Sequence, residues 1–270
     1  MSTTVADLLA AVERLWPASG AASWDAVGLV AGDPAREVSR VLLAVDAVSA
    51  TVDEAVDGGY DLLLAHHPML LRGVTSVAAD RYKGALLSRL ITAGCALVAA
   101  HTNADVVGTG TSAVLAAALG LTGLAPIEPS PGGGIGRVGS LAEPTTLGRF
   151  ARRVADVLPA TAGGVLVSGD YEAEVRTVAV CGGAGDAFLA HPLVRGADAY
   201  VTADLRHHPA SEAREQALLG GGPALLSVSH WASEWLWLDT AAAELRAALP
   251  GVGLVVSDLR TDPWDFAVVQ

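Results

Sequence analysis

Cysteine is nearly absent: Cys95 and Cys181 are the two in 270 residues, each inside an apolar, strand-like run. No CxxC spacing links them, which excludes a disulfide framework and a thiolate metal site and leaves two packed thiols of a reduced, cytoplasmic protein as the expectation. Positive charge is also scarce. Seventeen basic residues against 29 acidic ones give a formal charge of −12. A duplex-binding surface needs clustered Lys and Arg, so extended nucleic acid is not an expected partner. Long apolar runs are missing as well: the longest uncharged stretch, Val106–Ile127, is broken by Gly108, Gly110, Gly120, Gly123 and Pro126. Such a stretch reads as loop, helix and loop rather than as a membrane span. The first ten residues carry no basic start, so neither a leader nor a membrane partner is expected.

Apolar residues are plentiful, at 51% against 17% charged, and support a packed core. Their spacing alternates between helical and strand periods. Val5, Leu8, Leu9, Val12, Leu15 and Trp16 share one helical face between Ser2-Thr3-Thr4, a capping signal, and Pro17. Val41 to Val45, Leu62 to Ala65 and Cys95 to Ala100 read as buried strands, with helices from Ala50 to Asp57 and about Arg81 to Ala93 between them. The rhythm predicts an α/β protein of two α/β domains with mixed, largely parallel sheets. Leu124 to Gly136, rich in Pro and Gly, reads as an inter-domain linker or a long turn. A second α/β segment follows, with a helix behind Thr145-Thr146 and strands at Val178 to Cys181 and Ala199 to Val201. The tail adds a strand (Ala224 to Val228), a long helix (about Trp231 to Leu249) and a last strand (Gly253 to Val256). Domain 1 is accordingly placed at 1–125, completed by 223–270, and domain 2 at 126–222.

Histidines and carboxylates interrupt this pattern at four strand ends, where ligands bind in α/β sheets. They are His66-His67 in LLLAHHPML, His101, Asn103 and Asp105 in LVAAHTNAD, Asp204, His207 and His208 in VTADLRHH, and His230 with Glu234 in SHWASEW. A His-His pair cannot chelate one ion from within a strand, because successive side chains point to opposite faces, but at a strand end it can reach two. His230 and Glu234, four apart, share a helical face and can converge on one ion. These clusters hold six of the seven histidines and offer nitrogen and oxygen donors without sulfur, which suits Zn, Fe, Mn, Co or Ni.

At these residues the chain resembles the Nif-three-like dinuclear metal-centre hexameric protein family, known by homology as GTP cyclohydrolase I type 2. The resemblance also rests on SWDAVGLVAGDP from Ser23, AHHP from Ala65, CGGAG from Cys181 and SHWASE from Ser229, and it covers nearly the whole chain. Ala26 stands where the family usually has Asn, and Trp231 where Tyr is common. The resemblance implies a toroidal homohexamer with a two-metal site in the cleft between domains. It makes His66, His67, Asp105, His230 and Glu234 the ligands of two divalent ions, Glu234 bridging. Two such ions carry more charge than two carboxylates cancel, so a small anionic or nucleotide-like ligand can bind there.

The reading that follows is a metal-dependent hydrolase, converting GTP to formate and dihydroneopterin triphosphate if the family label holds. His101 and His208 are the candidate proton shuttles. Gly182, Gly183 and Gly185 join a strand to a helix and are candidates for cradling a phosphate, against the alternative of a tight turn. Trp24-Asp25 is placed in the cleft wall. Arg149, Arg152 and Arg153 read as a solvated helix face, and Trp231, Trp235 and Leu238 as a packing stripe. A metal-loaded ring that serves as scaffold, or a phosphoesterase, remains open.

Overall fold

The computed structural model describes residues 2–268. In chain order the elements begin with α1 (Val5–Leu15), β1 (Gly28–Ala31), β2 (Arg40–Ala44), α2 (Ser49–Asp57), β3 (Leu62–Ala65), α3 (Tyr82–Ala93), β4 (Ala96–Ala99) and α4 (Thr102–Asp105). They continue as α5 (Thr111–Ala118), β5 (Leu121–Ala125), β6 (Arg137–Thr146), α6 (Leu147–Val157), β7 (Leu166–Ser168), β8 (Glu174–Ala184), α7 (Pro192–Arg195), β9 (Ala199–Ala203) and α8 (His207–Leu218). The last four are β10 (Ala224–Val228), α9 (His230–Trp235), α10 (Trp237–Ala248) and β11 (Gly253–Val256). Two compact units result, one of Met1–Val107 and Leu238–Thr261, the other of Gly108–Trp237 and Asp262–Gln270.

The first unit is built on a sheet of order β1-β4-β3-β2-β11. β4, β3, β2 and β11 run parallel and β1 lies antiparallel on β4. Val41–Ala44, Leu62–Ala65 and Ala96–Ala99 are all buried, which explains why these strands are written as unbroken apolar runs: a parallel sheet covered on both faces has no solvent side. Thr4 caps α1 as expected, its Oγ1 accepting from Asp7 N at 3.2 Å while Asp7 Oδ2 accepts from Thr4 N at 2.9 Å. α3 ends at Gly94 in the left-handed conformation, φ 68°. Burial pushes the Cys95 thiol up to about 11.

The second unit is built on a sheet of order β5-β6-β8-β9-β10-β7. Its middle strands β8, β9 and β10 are parallel, and β5, β6 and β7 are added antiparallel. Both sheets are therefore mixed, with the parallel share larger in the first. Thr146 caps α6, as the sequence predicts. Arg149, Arg152 and Arg153 stand exposed along that helix.

The domain borders differ from the expectation. Ala224–Val228 does not return to the first sheet; it pairs with β9 on one side and β7 on the other. An apolar run of five residues carries no mark of which sheet it will join, and only Leu238–Thr261 returns to the first unit. β5 likewise belongs to the second sheet, so Leu124 and Ala125 end a strand and only residues 126–136 form the long β5–β6 turn, closed by hydrogen bonds between Glu128 and Ile135. The long C-terminal helix is two, α9 and α10, separated at Leu236. Among the described residues no helix is long and apolar enough to cross a membrane.

Candidate metal centre

The parallel registers of the first sheet decide which polar side chains meet. Ala44, Ala65 and Ala99 form one rung across β2, β3 and β4. The ladder continues past the strand ends: His66 N donates to Ala44 O at 3.0 Å, His67 N to Val45 O at 2.8 Å and Ala100 N to Ala65 O at 3.0 Å. Two residues beyond the rung, Asp46, His67 and His101 therefore lie side by side; one residue beyond it, His66 lies beside Ala100.

Each imidazole is oriented by an oxygen. His66 Nδ1 stands 2.8 Å from Ala100 O, His67 Nδ1 2.7 Å from Asp46 Oδ1 and His101 Nδ1 2.9 Å from Asp25 Oδ1. A carbonyl or carboxylate oxygen only accepts, so Nδ1 carries the hydrogen in all three rings and Nε2 is the lone-pair nitrogen. The three rings offer ligand atoms within 4.8 Å of one another. Asp105, at the end of α4, brings Oδ1 to 3.7 Å from His66 Nε2.

Asp25 is itself held firmly. Burial raises its carboxyl, but hydrogen bonds from the Thr102 hydroxyl, from His101 and from Ala26 N outweigh that and keep it below the usual carboxylate range. Burial, reinforced by His66, lowers the His101 imidazole below its ordinary value despite Asp25 and Asp105. A neutral imidazole is the form that binds a cation or takes a proton. Trp24, 61% exposed, sets its ring edgewise to His101 with centroids 6.0 Å apart.

The second unit repeats the device. β9 and β10 are parallel with Ala203 opposite Val228, and just beyond them His230 Nδ1 meets Asp204 Oδ2 at 2.8 Å. Asp204 has φ 53°, the one positive value at a non-glycine among the described residues, a strained conformation of the kind that clusters at functional sites. Ser229 caps α9 by accepting from Ala232 N. One turn on, buried Glu234 brings Oε1 to 3.2 Å from His230 Nε2. Gly183, at φ 67°, lies against this pair: a Cβ there would stand 2.3 Å from Glu234 Oε1 and 3.1 Å from His230 Nε2.

These observations fit a metal. In the first unit His66, His67 and His101 present Nε2 with Nδ1 already donated and Asp105 stands beside His66; in the second His230 does the same beside Glu234, and Gly183 leaves open the space next to that pair. The nitrogen and oxygen donors suit borderline divalent cations. His101, read from the sequence as a proton shuttle, stands close enough to His66 and His67 to be a ligand as well.

The reading of the glycines as a phosphate cradle is corrected. Gly182 and Gly183 lie within β8 and their amides donate to Ser112 Oγ at 3.1 Å and Ser233 Oγ at 2.9 Å, so neither is turned out towards a phosphate. Gly185 is packed beneath Tyr200, whose hydroxyl donates to Gly185 O at 2.9 Å. The three glycines serve close packing. His208 is exposed on α8 with its ring against His207, and it joins none of the potential ligand groups among the described residues. Trp231 is buried, as a packing residue should be. Asp46 belongs to no motif of the sequence, and neither Asp25 nor Asp204 carries a local sign of the histidine it orients. Their common signal is a carboxylate near a strand end, one sheet neighbour away from a histidine.

The model of the Duf34/NIF3 (NGG1p interacting factor 3) family matches residues 3–263. The chain belongs to this family. Within it, the GTP cyclohydrolase 1 type 2 homolog of Streptomyces coelicolor is 50% identical over 275 residues, covering 98% of this chain and 95% of the relative. The relative of the same name in Mycobacterium leprae is 34% identical, with 98% and 96% covered, in an alignment of 376 positions. That relative therefore carries inserted sequence which this NIF3 chain lacks. Among solved structures, a Bacillus cereus protein related to NIF3 superposes with a TM-score of 0.90 at 23% identity, covering 99% of this chain and all of its own, and shows the shared fold.

Proposed function

We propose that the chain is a metal-dependent hydrolase of a nucleotide-like substrate, with divalent cations held by the histidine and carboxylate donors at its strand ends. The observation that carries this reading is that His66, His67, His101 and His230 all donate Nδ1–H to a fixed oxygen and so present Nε2 in advance. Such outer-shell oxygens are the usual supports of metal-binding imidazoles. His66, His67, Asp105, His230 and Glu234 would hold the ions, whose identity lies among Zn, Fe, Mn, Co and Ni on donor chemistry. Ions bound there would supply Lewis acidity and draw the pKa of a water towards neutrality.

The chain's own residues do the rest. Asp46, Ala100 O and Asp204 hold the ligand rings in one tautomer. His101, kept neutral and anchored through Nδ1 by Asp25, takes a proton at Nε2. The names of the relatives point to GTP as the substrate, with ring opening to formate and dihydroneopterin triphosphate as the reaction. The toroidal homohexamer and the cytoplasmic setting belong to the same proposal and rest on the resemblance read from the sequence.

Incubation of metal-loaded protein with GTP, followed by formate analysis, tests the reading. Formate that disappears in His66→Ala supports it. Its absence from fully loaded wild-type protein overturns it. Phosphate released in its place marks a phosphoesterase, and metal without any turnover marks a scaffold.

A further inference from the structure

The connection between β3 and α3, which begins at His66 and His67, borders an open cavity of about 480 Å³ that the candidate metal donors do not account for. Thr75, Ser76, Arg81, Tyr82 and Lys83 are among its lining residues, which include no carboxylate. The cavities lined by Arg214 and by Arg152 also lack a carboxylate, but each holds a single arginine; this one sets an arginine beside Lys83, the single lysine of a chain with 29 acidic and 17 basic residues. The cavity of about 330 Å³ beside α8 differs, because Arg195 shares its lining with Asp186 and Glu212. Arg89 pairs with Asp53 and Asp57, and Arg206 with Asp186. Among the described residues no such ion pair is made by Arg81 or Lys83.

The walls are fixed relative to each other. A Cβ on Gly84 would lie 2.2 Å from Ala78 O and 2.5 Å from Val77 O, so the loop backbone rests directly on the first turn of α3. Ser76 Oγ accepts from Ala78 N at 3.2 Å, which closes the loop end.

We propose that this cavity is a polyphosphate-binding site. Arg81 offers a planar fork of donors, Lys83 a compact charge, and Thr75 and Ser76 hydroxyl donors, a set that matches the oxygens of a chain of phosphates. Gly73, at the start of the cavity lining, is six residues from His67, at most about 22 Å of extended chain. Assigning the bound group as the phosphate tail of the substrate rests on the hydrolase reading; the anion site itself does not.

Lys83 makes the site directly readable, because an amine-directed reagent has one lysine to modify and peptide mapping separates it from the N-terminal amine. Inorganic tripolyphosphate is the probe, with sodium chloride at matched ionic strength as control and no divalent metal added. Modification of Lys83 in the full chain should slow about fivefold at four times the dissociation constant, by mass action, and the N-terminal amine should be unaffected. Arg81→Ala keeps the reporter lysine and should lose most of the protection while its circular dichroism stays that of wild type. Equal rates with and without tripolyphosphate, equal protection by the chloride control, or undiminished protection in Arg81→Ala would each overturn the site. Protection of Lys83 without formate from GTP would leave the anion site standing and remove the hydrolase; formate without protection would do the reverse.

Discussion

Asp46 Oδ1 accepts the Nδ1 hydrogen of His67 at 2.7 Å, across two strands whose residues Ala44 and Ala65 pair in register. The carboxylate follows β2 and the imidazole follows β3, each two residues past the same rung. Sheet register, and not proximity in sequence, thus sets the direction of a candidate metal ligand. Asp46→Ala should leave the fold intact and weaken zinc binding about 10–100-fold, the usual effect of removing such a support. Chelator competition measures it, and an affinity equal to wild type would show that the contact does not orient the ring.

Gly183→Ala probes the second unit. The new Cβ would enter the space beside Glu234 and would have to tolerate φ 67°, a strain of about 1–3 kcal/mol for a residue with a side chain. Lower thermal stability and reduced metal content are expected together. Gly182→Ala is the comparison, since its Cβ would meet no atom nearer than 3.3 Å and should retain the metal.

His101→Ala separates two roles of one ring. Loss of a positioned proton carrier lowers turnover about 10²–10⁴-fold, and metal content should stay close to wild type. A parallel fall in metal would instead make His101 a ligand.

The strand ends were legible in the sequence; their partnerships were not. β2, β3 and β4 announce themselves because both faces are buried, and the histidines stand out by ending those runs. β6 does not, because its apolar and polar positions are mixed, Pro144 lies within it, and its pairing with β8 shifts register between Ser140 and Thr145. β7 is a short edge strand with Leu166 68% exposed, and α8 buries none of its residues. Neither has a period to read. The Asp46–His67 and Asp25–His101 contacts join residues 21 and 76 apart, and no local pattern in a chain rich in aspartate specifies which carboxylate will face which ring.

Acid stability tests a contact outside the site. Burial raises the Asp61 carboxyl, but hydrogen bonds from Ser39 N, Ser39 Oγ and Arg40 N, at 2.8, 2.8 and 3.0 Å, outweigh it and hold the group below the usual range. A carboxyl lowered by folding contributes stability in full above its unfolded value, about 3.9, and loses it as pH falls through the folded value. Asp61→Asn should therefore be less stable than wild type near pH 7, with the difference shrinking below about pH 4. A pH-independent difference in urea midpoint would assign the effect to packing.

Metal content is the most direct test of the central claim. Elemental analysis of purified wild-type chain, beside His66→Ala from the first unit and Glu234→Ala from the second, should find about two divalent ions per chain in the wild type, as in two-metal sites generally, and a large loss in each variant. Wild-type protein that binds no divalent ion after reconstitution, or variants that keep the full complement, would contradict it.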